Sequence, residues 1–456
     1  MDEEKSKSRW ESRKKIMVIS LVLVFIVAII IILLSAKPSG KIVYVNTNGS
    51  GNFNCDGIDD QVEINEALAY VVENPEYATV YLQGPNTYVI SDSLYIGSNT
   101  VLAGDSTAVV KLKDKAGWKK DKPLITQMDS AGNQNVIIKG FEIDGNHNNN
   151  SELYMGKGYY NLIFFVNSDN IQVHDMYMHD SHGDGLKATR CTNIQFYNNS
   201  VYKLGHDALY IIYSTNVKAW NNKITARINS GLRIYNVNHV KFNNNVIESE
   251  GEGGAGIEIQ KSDPATIMDD IEICNNLLNK TNAAGIWITG YGSKYSMDSA
   301  KNVYIHDNKF YKTGTDQGAE WAGGIVLNGF NNTLIENNLF DGCYGAAIAH
   351  KKVDSFSAPG SGYITVVKNN IIINTQASRS AGKGYAIFNK LNNTHSFILE
   401  NNCLSNNKGG NYMYATSTSD VKVDPGFVEQ VSKNESLKKD FPWVEALSAG
   451  PLDLTK

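Results

Sequence analysis

The chain has 456 residues, enough for one large domain or two to three ordinary ones. Charged residues make up 20% and the net charge is -5, so the basic footprint of a nucleic-acid binder is absent. Asn, Gly, Ile, Val and Tyr are plentiful and helical patterns are scarce, a mixture that favours strands joined by tight turns.

The first feature along the chain is an apolar run from Ile16 to Leu34, with no charge and Ser20 as its polar residue. As a helix it would rise roughly 28 Å, close to the hydrocarbon thickness of a bilayer. Arg13, Lys14 and Lys15 precede it, and the positive-inside tendency keeps that side in the cytoplasm. The expectation is a cytoplasmic tail (1–15), a transmembrane anchor (16–34) and a linker (35–40), with everything after it extracellular. Leu34-Ser35-Ala36 loosely resembles a signal-peptide cleavage site, but the run is long for a cleaved signal.

Residues 41–132 read as an N-terminal cap and first coils. Asp59 and Asp60 precede Gln61-Val62-Glu63-Ile64-Asn65-Glu66-Ala67-Leu68, whose apolar residues fall at helical spacing. A short capping helix over Asp59–Asn74 is expected, with an aspartate suited to its positive end. Strand-like runs follow at Thr79–Leu82, Tyr88–Ile90 and Thr100–Leu102.

From residue 133 to about 430 one phrase returns: apolar-x-apolar-x-Asn-Asn, an apolar strand, then Gly-apolar-x-apolar. Its first Asn position is held by Asp175, Asn198, Asn221, Asn244, Asn275, Asp307, Asn337, Asn369 and Asn401. The next position is Asn in every copy except the first, where it is Met176. The early spacing of 23 residues is too short for paired-helix repeats and fits one coil of a parallel β-helix, three short strands with turns between them. Coils would stack at about 4.8 Å through parallel hydrogen bonds, with inward side chains forming the core. Asn tolerates left-handed backbone and bonds its neighbours, so a stacked amide ladder is expected at one turn, with Asp144 and Asp175 as further turn residues. From the fifth copy the coils lengthen near Ser262–Asp269, Tyr291–Ala300, Gly314–Trp321, Val353–Gly362 and Gln376–Gly384, where loops would wall a groove. The run Val423-Asp424-Pro425-Gly426-Phe427 and residues 431–456 would close the far end.

Cys55, Cys191, Cys274, Cys343 and Cys403 are odd in number, scattered and without a CxxC pair, which points to buried thiols rather than a disulfide framework or a zinc site. An Asn-x-Ser/Thr sequon such as Asn48-Gly49-Ser50 would permit glycosylation outside the cell.

The segment Cys55-Asp56-Gly57-Ile58-Asp59-Asp60-Gln61-Val62-Glu63-Ile64 resembles the opening module of pectate-lyase-like right-handed parallel β-helices. Gly140-Phe141-Glu142-Ile143-Asp144-Gly145-Asn146 fits their first full coil. More closely, Tyr44 to about Ser262 resembles the disaggregatase-related proteins of methanogenic archaea, and the likeness extends weakly into the later coils. The carrying phrases are Gly84-Pro85-Asn86-Thr87-Tyr88-Val89-Ile90, Val173-His174-Asp175-Met176-Tyr177-Met178-His179-Asp180 and Leu204-Gly205-His206-Asp207. The resemblance implies an archaeal cell-surface protein that depolymerises a chondroitin-like, uronate-containing matrix.

Aligning the coils on the Gly-apolar strand yields an informative column. Before the strand stand Asp184, Asp207, Ser230 and Ala255; two residues into it, facing outward, stand Lys187, Tyr210, Arg233, Glu258 and Trp287. Stacked coils would turn these into a stripe, flanked by His179, Asp180, His182, His206, Arg227, Asn229, Tyr235 and Gln260. Glycoside hydrolysis needs one carboxyl as acid and another as base or nucleophile, roles open to Asp184 and Asp207. Their proximity would raise the pKa of one. His206 and His182 are candidates to tune or relay protons. Arg233 could grip a uronate carboxylate in a bidentate pair, with Lys187, Arg227 and Glu258 as further substrate contacts and Tyr210 or Trp287 stacking on a sugar. Each also has a plainer role. An aspartate before a glycine strand bonds its own turn, surface Lys and Arg are solvated, and His174 or His239 alone is a packing or solvated residue.

Calcium is possible, since uronate lyases on this scaffold use it to neutralise substrate, and Asp180, Asp184, Asp207 and Glu258 could offer oxygens. No compact acidic loop supports it, and no other cofactor or metal is indicated. The leading expectation is a glycan hydrolase acting on an acidic polysaccharide and held to the membrane through residues 16–34. The alternatives are a polysaccharide lyase with Lys187 or Arg233 as base, and a non-catalytic glycan-binding envelope protein.

Overall fold

The computed structural model describes residues 40–150, 160–227, 229–263, 265–290, 301–328, 331–351, 363–390, 395–423 and 446. The expected anchor at 16–34 and nearly all of the expected C-terminal cap lie outside these. Among the described residues no helix is long and apolar enough to cross a membrane.

The chain winds as an all-β parallel solenoid with sheets of fourteen, thirteen and twelve strands among the described residues. Each coil visits the three in turn. One runs from Asp169–His174 in the first sheet to Tyr177–Ser181 in the second and Leu186–Thr189 in the third. The next begins at Thr192–Tyr197, paired in parallel with Asp169–His174. Period-two alternation sends Ile171, Val173, Ile194 and Phe196 inward to complete burial. Because the register keeps like positions in line, the apolar residues form columns. Ile163, Leu186, Leu209, Leu232, Ile257, Ile286 and Ile325 pair successively and are all buried. The third-sheet strands open on small residues because the coils touch there. A Cβ on Gly231 would lie 2.7 Å from the Gly256 carbonyl oxygen, and one on Gly256 the same distance from that of Gly285.

The repeated Asn pair divides its labour. The first member adopts left-handed backbone, φ between 54° and 57° from Asp175 to Asn401, and turns the corner. The second is buried and forms the ladder. The Nδ2 of Asn199, Asn222, Asn245, Asn276, Asn308, Asn338 and Asn370 each donates to the Oδ1 of the next at 2.9–3.0 Å. Asp420 accepts from Asn402 and ends the row.

The expected cap is a helix at Gln61–Glu73, which buries Ile64, Ala67, Leu68 and Val71. Its capping chemistry differs from expectation. Asp60 stands at the N-cap without bonding the helix; its carboxylate accepts from the backbone N–H of Gly57 at 2.8 Å and of Val89 at 2.6 Å. It ties the preceding loop to the strand Asn86–Ile90 instead. All five cysteines are buried free thiols. Two of the long-coil loops fold over the outer face of the third sheet, where Trp321 stacks on Trp287 at 5.3 Å. Ser380 N–H donates to the Gln317 carbonyl at 3.2 Å, and Lys351 Nζ holds the carbonyls of Glu320 and Ala381.

Asn308→Ala removes a donor to Asn338 and Ile273 and takes the acceptor from the backbone N–H and one amide N–H of Asn276. It should cost about 1–3 kcal/mol, read as a lower unfolding midpoint in denaturant. Asn401→Gly, at an exposed left-handed corner, should move that midpoint far less.

Candidate active site

Register assembles the outward stripe as expected. Lys187, Tyr210, Arg233, Glu258 and Trp287 are direct ladder neighbours on five successive third-sheet strands. The column before those strands forms a second ladder. Asp184 N–H donates to Asn161 Oδ1 at 2.9 Å, Asp207 N–H to Asp184 Oδ1 at 3.0 Å, and Ser230 N–H to Asp207 Oδ1 at 2.7 Å. One oxygen of each aspartate therefore serves the turn. Asn161 was not singled out from sequence, although it stands one 23-residue period before Asp184.

The two aspartates share an imidazole. His206 Nδ1 lies 2.7 Å from Asp184 Oδ1 and 3.1 Å from Asp207 Oδ2. Arg233 spans the next carboxylates: Nη1 is 3.5 Å from Asp207 Oδ2, Nε is 3.5 Å from Glu258 Oε2, and Nη2 donates to Gln260 Oε1 at 2.8 Å. Ser230 Oγ donates to Glu258 Oε2 at 2.6 Å, and Gln260 Nε2 donates to Glu258 Oε1. Asp184 Oδ2 is buried with no partner among the described residues. The carboxylates lie inside and the cations reach the surface: the side chains of Asp184 and Asp207 are 0% exposed, those of His206 and Arg233 17% and 15%.

Burial alone would lower the His206 pKa, but the Asp207 charge and the hydrogen bond to Asp184 outweigh it and hold the imidazole up to about 10. Burial would raise Asp207, yet the His206 and Arg233 charges hold its carboxyl below the usual range. For Asp207 the upward shift that crowding would give is not found, because the neighbouring cations replace repulsion with attraction. The carboxyl pushed up is Glu258, by burial, against the pull of Arg233. Asn229 Nδ2 lies 3.2 Å from His206 Nε2; turning the amide over, an interchange of O and N, matches it to a protonated ring.

Tyr210 lies under Arg233, whose Cζ is 4.5 Å from the ring centroid, and Lys187 Nζ sits 5.4 Å and 5.6 Å from the rings of Phe164 and Tyr210. Trp287 borders Glu258 but is buried against Trp321, so the stacking surface expected of it is already occupied. His182 is placed elsewhere. Its ring is buried, 4.2 Å from that of His147 and 5.0 Å from that of Tyr160, with Nε2 2.8 Å from the Asn150 carbonyl. It packs the turn, and its expected catalytic part is corrected on that ground. Arg227 pairs its backbone with Leu204, and its side chain lies outside the described atoms. His179 and Asp180 belong to a separate second-sheet cluster with Glu142 and Lys203.

The ligating atoms of Asp184, His206 and Asp207 lie within 4.8 Å of one another. Calcium wants six to eight oxygens. Of the four carboxylates expected to supply them, Asp180 is held apart by His179 and Lys203, Glu258 faces Arg233, and the aspartate pair already holds His206. The residues present do not assemble that donor set.

His206 gains its proton affinity on folding, so its contribution is complete below its ordinary pKa of 6.5 and fades as pH rises towards about 10. Thermal unfolding followed from pH 7 to 10 should show a steeper loss of midpoint in wild type than in His206→Gln. Equal slopes would contradict the shared proton.

Residues 268–449 match the family model described as Disaggregatase related, and residues 127–299 match the right handed beta helix region. The family match falls on the later coils, whereas the resembling phrases lie before Ser262. No curated protein sequence matches the chain. Among solved structures, the A-module of the mannuronan C-5 epimerase AlgE4 of Azotobacter vinelandii is similar, with TM-score 0.63 and 15% identity over 83% of this chain and 100% of that one. An exopolygalacturonase from Thermotoga maritima gives 0.50 and 12% over 82% and 89%. PfbA, a surface adhesin of Streptococcus pneumoniae, gives 0.50 and 11% over 82% and 91%. At such identities the likeness establishes architecture. By these matches residues 127–299 carry a right-handed parallel β-helix region and residues 268–449 a disaggregatase-related segment.

Proposed function

We propose that the chain is an extracellular polysaccharide-processing enzyme that hydrolyses a uronate-containing, chondroitin-like polymer at the Asp184–His206–Asp207–Arg233 cluster. The observation that carries this reading is one imidazole held between two buried aspartates, with an arginine beside it. His206 and Arg233 are the parts of the cluster that a polymer meets first. Arg233, with Lys187 nearby, suits a uronate carboxylate, and the Tyr210 ring beneath them offers an apolar edge to the sugar.

Hydrolysis moves one proton to the leaving oxygen and takes one from water. His206, kept protonated by both aspartates, is the donor. Asp184 Oδ2, the cluster's partnerless carboxylate oxygen, is the acceptor for a water admitted beside the ring. Asp207, held ionised, keeps the proton on His206 and opposes positive charge developing at the anomeric carbon. The similar structures named for polysaccharide substrates, an epimerase on mannuronan and a polygalacturonase, support this substrate class.

Elimination is the second reading, favoured by the outward placement of the cations. Arg233 is divided among Asp207, Glu258 and Gln260, and against burial the Glu258 and Asp207 charges push its pKa up, so Lys187 is the base such chemistry would use. Incubating the full chain with chondroitin-type polymers separates the readings: hydrolysis releases saturated reducing ends, elimination an unsaturated uronate. Asp207→Asn should lower product release by on the order of 10²–10⁴-fold, and Asp184→Asn similarly. Wild-type turnover in Asp207→Asn would remove this site, and polymer binding without any product would favour a glycan-binding envelope protein.

The apolar run at 16–34 is the proposed membrane anchor. Wild type should sediment with membranes and resist carbonate extraction, and deletion of 16–34 should release the chain to the soluble fraction.

A further inference from the structure

A second cluster of chemically competent side chains lies on the outer face of the first sheet, away from the site above and independent of its function. The strands Ile271–Cys274 and Lys301–His306 are parallel neighbours, with Cys274 directly opposite His306 and Glu272 opposite Tyr304. Ile271, Ile273, Val303 and Ile305 take the inward positions, so Glu272, Cys274 and His306 share the outer face. Three groups converge on Glu272 Oε1: Lys241 Nζ at 2.8 Å, His306 Nε2 at 3.3 Å and Cys274 Sγ at 3.5 Å. The ligating atoms of Glu272, Cys274 and His306 lie within 4.8 Å of one another.

A second feature points inward to the same spot. His306 Nδ1 is 2.6 Å from Asp307 Oδ2, the carboxylate–histidine arrangement that fixes a metal-ligating ring and leaves Nε2 as its donor atom. His306 Nε2 and Cys274 Sγ both face Glu272 Oε1, so a cation held there would meet nitrogen, sulfur and oxygen together. The Lys241 ammonium shows that this carboxylate already attracts one. Tyr304 stacks on His306 at 3.9 Å and limits the ring's rotation.

We infer that Glu272, Cys274 and His306 form a binding site for a borderline divalent cation of the zinc class, with water completing the coordination. Thiolate, imidazole and carboxylate together select such an ion over calcium or magnesium. Its ligand distances of about 2.0–2.3 Å suit donor atoms that stand 3.3 Å and 3.5 Å from Glu272 Oε1, with small χ adjustments. Coordination replaces the thiol proton with the metal and releases that proton to solvent. The ion would clamp two coils at the point where they lengthen beyond 23 residues.

The test is titration of the full, metal-stripped chain with Co²⁺. A thiolate-to-cobalt charge-transfer band should rise to one ion per chain and be displaced by Zn²⁺. Cys274→Ser should abolish the band, His306→Gln and Asp307→Asn should weaken binding by on the order of tenfold or more, and Lys241→Met should tighten it by removing the competing ammonium. Cys55, which neighbours Asp60 and Glu63, serves as control: Cys55→Ser should leave the band intact. Should Cys274→Ser fail to fold, the second readout is a Zn²⁺-dependent rise in unfolding midpoint, present in wild type and lost in His306→Gln. No band in the folded wild type, or a band that survives Cys274→Ser, overturns the site.

Discussion

Everything in this molecule depends on coils stacking in strict register. A parallel ladder fixes neighbouring strands at about 4.8 Å, so a residue and its counterpart one coil later are held side by side whatever their separation in sequence. The buried amide row enforces that spacing from within. Each Asn satisfies the next, and an amide slipped out of line would leave a donor and an acceptor dry in the core, at a cost of about 1–3 kcal/mol. The left-handed residue before it makes the turn at which the row begins.

The same constraint explains how a cluster with three buried carboxylates can exist. Isolated, each would be expensive to bury. Stacking supplies every one with donors from the neighbouring coil: backbone N–H groups for Asp184 and Asp207, Ser230 for Glu258 (with Gln260 of its own strand), and the two cations across the top. The turn ladder and the charged network are one structure. Asp207 holds the corner with Oδ1 and the imidazole with Oδ2, and Asp184 does both with Oδ1, so the choice between turn residue and functional residue is false for both.

How much of this could be read from the chain follows from the same geometry. The solenoid, its ladder and the outward stripe were legible because they depend on period alone, and a constant 23-residue interval names neighbours without a structure. The resemblance to disaggregatase-related proteins agreed with the family match, although that match lies on the later coils. Orientation within a turn was not legible. His182 and His206 stand in equivalent turns, yet one is buried against His147 and Tyr160 while the other bridges two aspartates. The ionisation pattern was misjudged because two aspartates one coil apart suggest repulsion until a cation is placed between them. Asp60 likewise occupies a capping position while bonding a loop and a strand. Cys274 and His306, 32 residues apart, fit no metal-ligand spacing, since such patterns describe short loops.

A solenoid also separates its faces. The inward columns carry the folding energy, so the outer positions of each sheet are free to differ, and they do. The third sheet gathers Lys187, Tyr210, Arg233 and Glu258, then changes to Trp287, Val326 and Ala349 where loops cover it. The first sheet runs through stacked His174, Tyr197 and Trp220 before reaching Cys274 and His306. The charged stripe therefore ends where the coils begin to lengthen, because inserted loops need an apolar bed and a polar groove needs an open face. Chemistry and cover cannot occupy the same column in the same coil, and the position of Trp287 beside Glu258 marks the boundary between them.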